Sequence, residues 1–312
     1  MPMFNALNRI AALAHTLRGR RALAFGGFLA LAAAVACSSS STSTPVPQGP
    51  QLNTILVTQD LTLGKNRVAF GIIDEDGLPV RGQEAQVRAL YLSPGDTAGE
   101  VRDTATAKFV RWPSGAQGVF SAHLEFNTAG NWRLEVEATT DDGRAVTAQG
   151  AFQVFPEPKA PGLGQPAPAS VTPTVDDVDD LSTITSSTKP DPDLYRLSVH
   201  EALAAGKPLV VVFATPAFCV SAACGPQVEI VSELKERFSG RANFIHVEVF
   251  ENPHLIEGGR PTGGFVGAVA EWKLPTEPLT FVVDEAGLVR AKFEGFATLE
   301  ELDEALGEVA GS

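Results

Sequence analysis

The sequence predicts a multidomain chain: an all-β sandwich over residues 52–155, then an α/β region over residues 193–312. Three observations predict it. Seven short β-rich runs separated by turn signals fill the first region. From Leu194 the pattern changes to strands alternating with helices. Between them, residues 156–192 carry eight prolines and no sustained apolar period. The length of 312 residues fits about two domains. Hydrophobic residues make up 44%, enough for real cores. A net charge of −13 argues against binding nucleic acid or an anionic surface, since both reward basic patches. Three cysteines are too few for a disulfide-rich scaffold or a four-Cys zinc site, and their odd number asks for an explanation.

The N-terminus supplies part of that explanation. Arg9, Arg18, Arg20 and Arg21 precede an apolar run from Ala22 to Ala36, short for a membrane span and suited to a signal peptide. The run ends Ala34-Val35-Ala36-Cys37, followed by Ser and Thr to Ser43. This resembles a bacterial lipoprotein signal. The resemblance implies cleavage after residue 36, lipidation of Cys37, and a membrane-anchored protein of the cell envelope. The leader carries four arginines and no acid, so its loss takes the net charge from −13 to −17. Residues 37–51 are almost entirely Ser, Thr, Pro, Gln and Gly, with little to bury, and read as a flexible tether.

The expected strands lie near Thr54–Gln59, Asn66–Ile73, Ala85–Leu92, Ala107–Trp112, Val119–Phe126, Trp132–Ala138 and Ala145–Phe155. Asp76-Gly77, Pro94-Gly95, Ser114-Gly115, Ala129-Gly130 and Asp142-Gly143 break them, the last fitting a tight hairpin. Seven strands so spaced argue for an immunoglobulin-like sandwich without the cysteine pair of antibody domains. Phe120 to Trp132, Arg133-Leu-Glu-Val-Glu137 and Asp142-Gly143 resemble the YtkA/FixH-type sandwich domains of bacterial envelope proteins, which implies an accessory module. His123 alternates with apolar neighbours and reads as structural or surface. Residues 156–192, with Asp176, Asp177, Asp179 and Asp180, read as an extended, solvated linker.

In the α/β region, Ser198-Val-His-Glu201 is a capping box for a helix that Gly206 ends. Leu209–Ala214 suits a strand buried on both faces. Cys219 and Cys224 follow it, and Gln227–Phe238 has helical apolar spacing. Asn243–Phe250 is a second central strand. Phe265–Trp272 suggests a helix, Leu279–Val283 and Leu288–Phe293 a hairpin, and Thr298-Leu-Glu-Glu301 caps a last helix.

Residues Leu194 to Gly311 resemble the thioredoxin family. The resemblance rests on Val210-Val-Val-Phe-Ala214 leading into the cysteines, on Glu277-Pro278-Leu279-Thr280-Phe281, and on Asp284-Glu-Ala-Gly287 followed by a strand and Gly295. It implies a cis-proline at Pro278, with Pro275 a competing candidate. It also implies a thiol–disulfide oxidoreductase needing no diffusible cofactor or metal. Its partners would be envelope protein thiols and disulfides and an electron donor.

The spacing Cys219-Val-Ser-Ala-Ala-Cys224 departs from the family's Cys-x-x-Cys. On one continuous helix, five residues give about 7.5 Å of rise and about 140° of rotation, which points the sulfurs apart. A bridge therefore requires residues 220–223 to loop and Cys224 to sit near the helix start. Cys219 is then the attacking thiol and Cys224 the resolving one. A second register, Cys224-Gly225-Pro226-Gln227, resembles Cys-Gly-Pro-Cys with Gln227 in place of the second Cys, and makes Cys224 the nucleophile. Phe218 replaces the family's tryptophan before the first Cys. The strand before the motif carries no buried acid, and Glu277 would face the sulfurs. A carboxylate there raises a thiol pKa and favours reducing chemistry. Three alternatives stay open: a non-catalytic thioredoxin-fold scaffold with a permanent bridge; a Sco-like copper-delivery protein using the cysteine pair with His246 or His254; and a peroxiredoxin-like peroxidase, from Phe213-Ala-Thr-Pro216.

Overall fold

A computed structural model describes residues 51–113, 117–219 and 221–311. The expected signal peptide with Cys37, residues 37–50 of the expected tether and the expected turn at Ser114-Gly115 lie outside the described residues. The first lobe comprises β1 (Gln51–Leu56), β2 (Gly64–Ile73), β3 (Pro79–Val80), β4 (Gly82–Leu92), β5 (Glu100–Arg111), β6 (Gly118–Phe126), β7 (Gly130–Thr140) and β8 (Ala145–Val154). The period-2 pattern sets which side chains enter the core. Along β7, Trp132, Leu134, Val136 and Ala138 are buried, while Asn131, Glu137 and Thr139 are exposed. His123 faces outward from β6. Trp132 packs edge-on to Phe126 at 5.0 Å between ring centres.

The pairing differs from two separate sandwich sheets. The strands run β1-β8-β7-β4-β5-β6-β2-β3, and β1 also pairs with β2, so seven strands close into a ring that β3 extends. Two strands switch partners to make this closure. β5 pairs with β4 through Lys108 and then with β6 through Arg111. β1 lies parallel to β8 at residues 51–53 and antiparallel to β2 at residues 53–56. The first half of β5, Glu100–Thr106, is exposed or half-buried throughout, so no apolar run marked it.

The segment expected to be an extended, solvated linker is packed. The buried Asp60 carboxylate accepts the Lys159 and Ala160 N–H groups, Lys159 at 2.8 Å. Gln165 and Ala167 pair with residues 287–289. Ser170, Thr172 and Thr174 are buried, and Thr172 N–H donates to Ser198 Oγ at 2.9 Å. Asp177 and Asp180 cap local turns by accepting the Thr174 and Ser182 N–H groups. Backbone and hydroxyl hydrogen bonds hold the segment, and scattered apolar side chains such as Ala160 and Ile184 join the cores without any sustained period.

The second lobe holds α1 (Val199–Ala204), β9 (Leu209–Ala214), α2 (Cys224–Arg237), β10 (Asn243–Glu248), the small hairpin β11 (Ile256–Glu257) and β12 (Arg260–Pro261), α3 (Gly267–Glu271), β13 (Leu279–Val283), β14 (Val289–Glu294) and α4 (Leu299–Ala310). Its sheet runs β10-β9-β13-β14, with β10 parallel to β9 and β13 antiparallel to both neighbours. All six β9 residues are buried. Val210, Val212 and Ala214 face a cluster with α2 and α4, while Leu209, Val211 and Phe213 face Trp272 and Phe281. Both capping boxes are present, Ser198 with Glu201 and Thr298 with Glu301. This strand order, with helices on both faces and a cis Glu277-Pro278 bond, is a thioredoxin-like fold.

The lobes belong to one compact unit. Arg67 on β2 is nearly fully buried at their seam. Its guanidinium donates to Glu301 at 2.6 and 3.0 Å and to the Phe296 carbonyl at 2.8 Å. Burial alone raises the Glu301 pKa, but the Arg67 charge and hydrogen bonds outweigh it and hold the carboxyl below its usual range. Lys292 Nζ meets the Asp60 carboxylate at 2.9 Å, and Glu294 accepts the Gln59 and Asp60 N–H groups. An apolar patch of Ala69, Val110, Trp112 and Val119 packs with Ala223 and Phe296. Arg67→Ala should therefore cost about 3 kcal/mol, because it strands a partly buried carboxylate. Scanning calorimetry should show a lower Tm and separated lobe transitions. A loss below about 1 kcal/mol with one unchanged transition would contradict the seam's role.

Candidate functional site

The site is built at the C-terminal end of β9. Chain leaving that strand turns at once: the Phe218 and Cys219 N–H groups both donate to the Thr215 carbonyl, at 3.3 and 3.1 Å. Cys219 and Cys224 are bridged, with Cα atoms 5.9 Å apart. Ser221 to Ala223 precede the helix without joining it, Ala222 takes φ 57°, and α2 begins at Cys224. Pro226 fits the first turn because its missing N–H would have no partner there. The two sulfurs differ in access. Cys224 is fully buried, whereas Cys219 is half-buried and its sulfur lies 3.1 Å from Ser221 Oγ. Phe218 is half-buried beside it.

Strand register brings the proline to the same place. Leu279 pairs with Phe213, so Pro278 and Glu277 continue alongside Ala214 and Thr215. The Gly295 N–H donates to the Pro278 carbonyl at 2.9 Å. Glu277 Oε2 is buried without a hydrogen-bond partner. Burial, and then the Glu248 charge, push the Glu277 carboxyl up to about 7, against a hydrogen bond from the Thr215 backbone. The pair and Glu277-Pro278 thus flank one strand end.

Other supporting residues carried no motif. Glu248, at the end of β10, is buried; it accepts both the N–H and the hydroxyl of Ser186, at 2.8 and 2.7 Å. Ser186 Oγ also accepts the Ala217 N–H at 3.1 Å and lies 3.4 Å from Thr215 Oγ1. A carboxylate two residues from His246 thereby braces the cysteine loop through a serine of the packed connecting segment. The one available signal was His246 and Glu248 alternating in an otherwise apolar strand. His246 Nε2 lies 3.0 Å from the Ala214 carbonyl, and its Nδ1 lies 2.6 Å from the Tyr195 hydroxyl. Burial holds the imidazole below its usual pKa, opposed by Glu248 and the Ala214 hydrogen bond. A neutral ring with its proton on Nε2 satisfies both contacts.

His254 is exposed, and among the described residues no three His, Cys, Asp or Glu side chains gather as a metal site requires. A cavity of about 330 Å³ opens beside β10, lined by Tyr195, His246, Glu248 and Phe250; neither cysteine lines it.

Glu277 gives a pH-dependent expectation. Its folded pKa stands above the ordinary value, so ionising it opposes folding. That destabilisation starts near pH 4.5 and is complete above about pH 7. Glu277→Gln should stabilise the protein at pH 8 by on the order of 2 kcal/mol and leave it unchanged at pH 4. Urea unfolding at both pH values checks this, and an equal effect at both would contradict it.

No family model matches the chain, and no curated protein matches it. Comparison with solved structures finds similarity to a thiol:disulfide interchange protein of the thioredoxin family from Chlorobium tepidum: 16% identity, 46% of this chain, 100% of that chain, TM-score 0.29. A thioredoxin-like superfamily protein is similar at 14% identity over 46% of this chain and 96% of that chain, TM-score 0.31. MtrC from Shewanella baltica is similar at 18% identity over 39% of this chain, TM-score 0.24, and the chain spans only 24% of that protein's length.

Proposed function

We propose that the chain is an extracytoplasmic thiol–disulfide oxidoreductase, anchored to a membrane through lipid on Cys37. The observation that carries the reading is the asymmetry of the pair: a half-buried Cys219 bridged to a fully buried Cys224 at the start of α2. In the reduced protein the Cys219 thiolate attacks a sulfur of a substrate disulfide, and the other substrate sulfur leaves as a thiolate that takes a proton. Cys224 then attacks the Cys219 sulfur, releases the second substrate thiol and restores the bridge. Two electrons and two protons have passed to the substrate, and a thiol donor must return them. The N-terminus of α2, with its free N–H groups and dipole, favours the thiolate at Cys224. Pro278 shapes the edge where an extended substrate lies. Glu277, as it ionises near neutrality, opposes the Cys219 thiolate and biases the couple toward reduction. The closed β-lobe serves as an accessory module of the YtkA/FixH type.

Insulin-disulfide reduction by the mature chain tests this reading. Cys219→Ser should lower turnover at least 100-fold. Cys224→Ser should retain attack and accumulate mixed disulfides on Cys219. Partners captured by Cys219→Ser instead would reverse the roles. No turnover by the parent, with a bridge resistant to dithiothreitol, would sink the proposal in favour of a permanent bridge on a scaffold.

A further inference from the structure

Trp112 lies outside the cysteine motif, just after β5 of the first lobe, yet it belongs to a buried cluster that reaches the residue before Cys224. It shares one buried cluster with Val110 and Val119 of its own lobe and with Ala223 and Phe296 of the other. Ala223 directly precedes Cys224. It is 1% exposed, whereas Ser221 and Ala222 are exposed, so the loop is anchored in the seam at this residue. Phe296 follows Gly295, whose N–H holds the Pro278 carbonyl. A Cβ on Gly295 would stand 2.6 Å from Val57 Cγ1 of the first lobe. The first lobe therefore seats on both sides of the site, the cysteine loop and the cis-proline turn. Ala222, at φ 57°, holds a backbone conformation that non-glycine residues adopt only when their surroundings enforce it.

We propose that the β-rich lobe is a positioning element of the redox site, with Trp112 as the positioning residue that, through Ala223, holds Cys224 in its bridged geometry with Cys219. The proposal rests on reading the cysteine pair as redox-active. A bridge requires Cα atoms within about 7 Å, and contacts made only by the closed loop favour the oxidised form. By linkage, opening the bridge weakens the seam by the same free energy. In exchange with dithiothreitol, the Cys219–Cys224 bond breaks, two electrons and two protons pass to the protein as two thiols, and the reagent closes to its own cyclic disulfide.

The test is the redox equilibrium of the mature chain with dithiothreitol, read by alkylation and mass. Trp112→Ala should shift the equilibrium about tenfold toward the dithiol, about 30 mV for a two-electron couple. Trp112→Phe, which keeps a ring in the cluster, should shift it less than threefold. Trp132→Phe perturbs the same lobe's core away from the seam and should leave the equilibrium unchanged. If Trp112→Ala does not fold, Val119→Ala takes its place with an expected shift of about threefold. A shift within twofold of the parent, an equal shift in Trp132→Phe, or a bridge equally resistant in all variants overturns the proposal. Turnover on insulin is a separate readout: a Trp112-dependent shift without turnover sinks the oxidoreductase reading alone, and turnover without the shift sinks this proposal alone.

Discussion

The arrangement depends on one buried cation. Arg67 brings its guanidinium from a strand of the first lobe against a carboxylate and a backbone carbonyl of the second. Charge removed from water is tolerable only when fully engaged, and here Glu301 and the Phe296 carbonyl engage it. That requirement fixes how the turn at residues 295–296 meets β2. An apolar cluster that includes Trp112, Ala223 and Phe296 closes beside it. Lys292 with Asp60, and Glu294 with the Gln59 and Asp60 N–H groups, secure the same border along a second line.

The proposed chemistry sits where this border meets the end of β9. Residues 215–219 and 221–224 are held from three directions. Thr215 takes the backbone N–H groups of its own turn, Ser186 and Glu248 brace it from the connecting segment and β10, and Ala223 is buried in the seam. Such bracing suits a disulfide whose two sulfurs must differ in access. The connecting segment, packed despite its eight prolines, contributes Ser186 to this bracing.

Much of the second lobe was legible in the sequence. β9 is an unbroken Val-rich run because both of its faces are buried, and the two capping boxes mark their helices by side chains that pair locally. The cysteine spacing alone required a loop before α2, as a continuous helix cannot bring positions five apart together. What was hidden depended on distant partners. Residues 156–192 have no apolar period, so their burial through backbone pairing and through Ser170 and Thr172 leaves no pattern. Glu248 was masked by its apolar neighbours, since nothing local announces that Ser186 arrives 62 residues away in sequence to satisfy it. Closure of the first lobe escaped for a similar reason: a strand that changes partners part-way, as β5 does, looks from its sequence like one ordinary strand or none. Arg67 read as a strand residue, and only the seam gives it a role.

The proposed chemistry makes the bridged pair asymmetric, with Cys219 the reacting thiol and Cys224 the protected one. Alkylation kinetics of the fully reduced mature chain, resolved by residue through mass spectrometry, test this most directly. Cys219 should react with iodoacetamide at least tenfold faster than Cys224 at neutral pH. Equal rates, or faster reaction at Cys224, would contradict it.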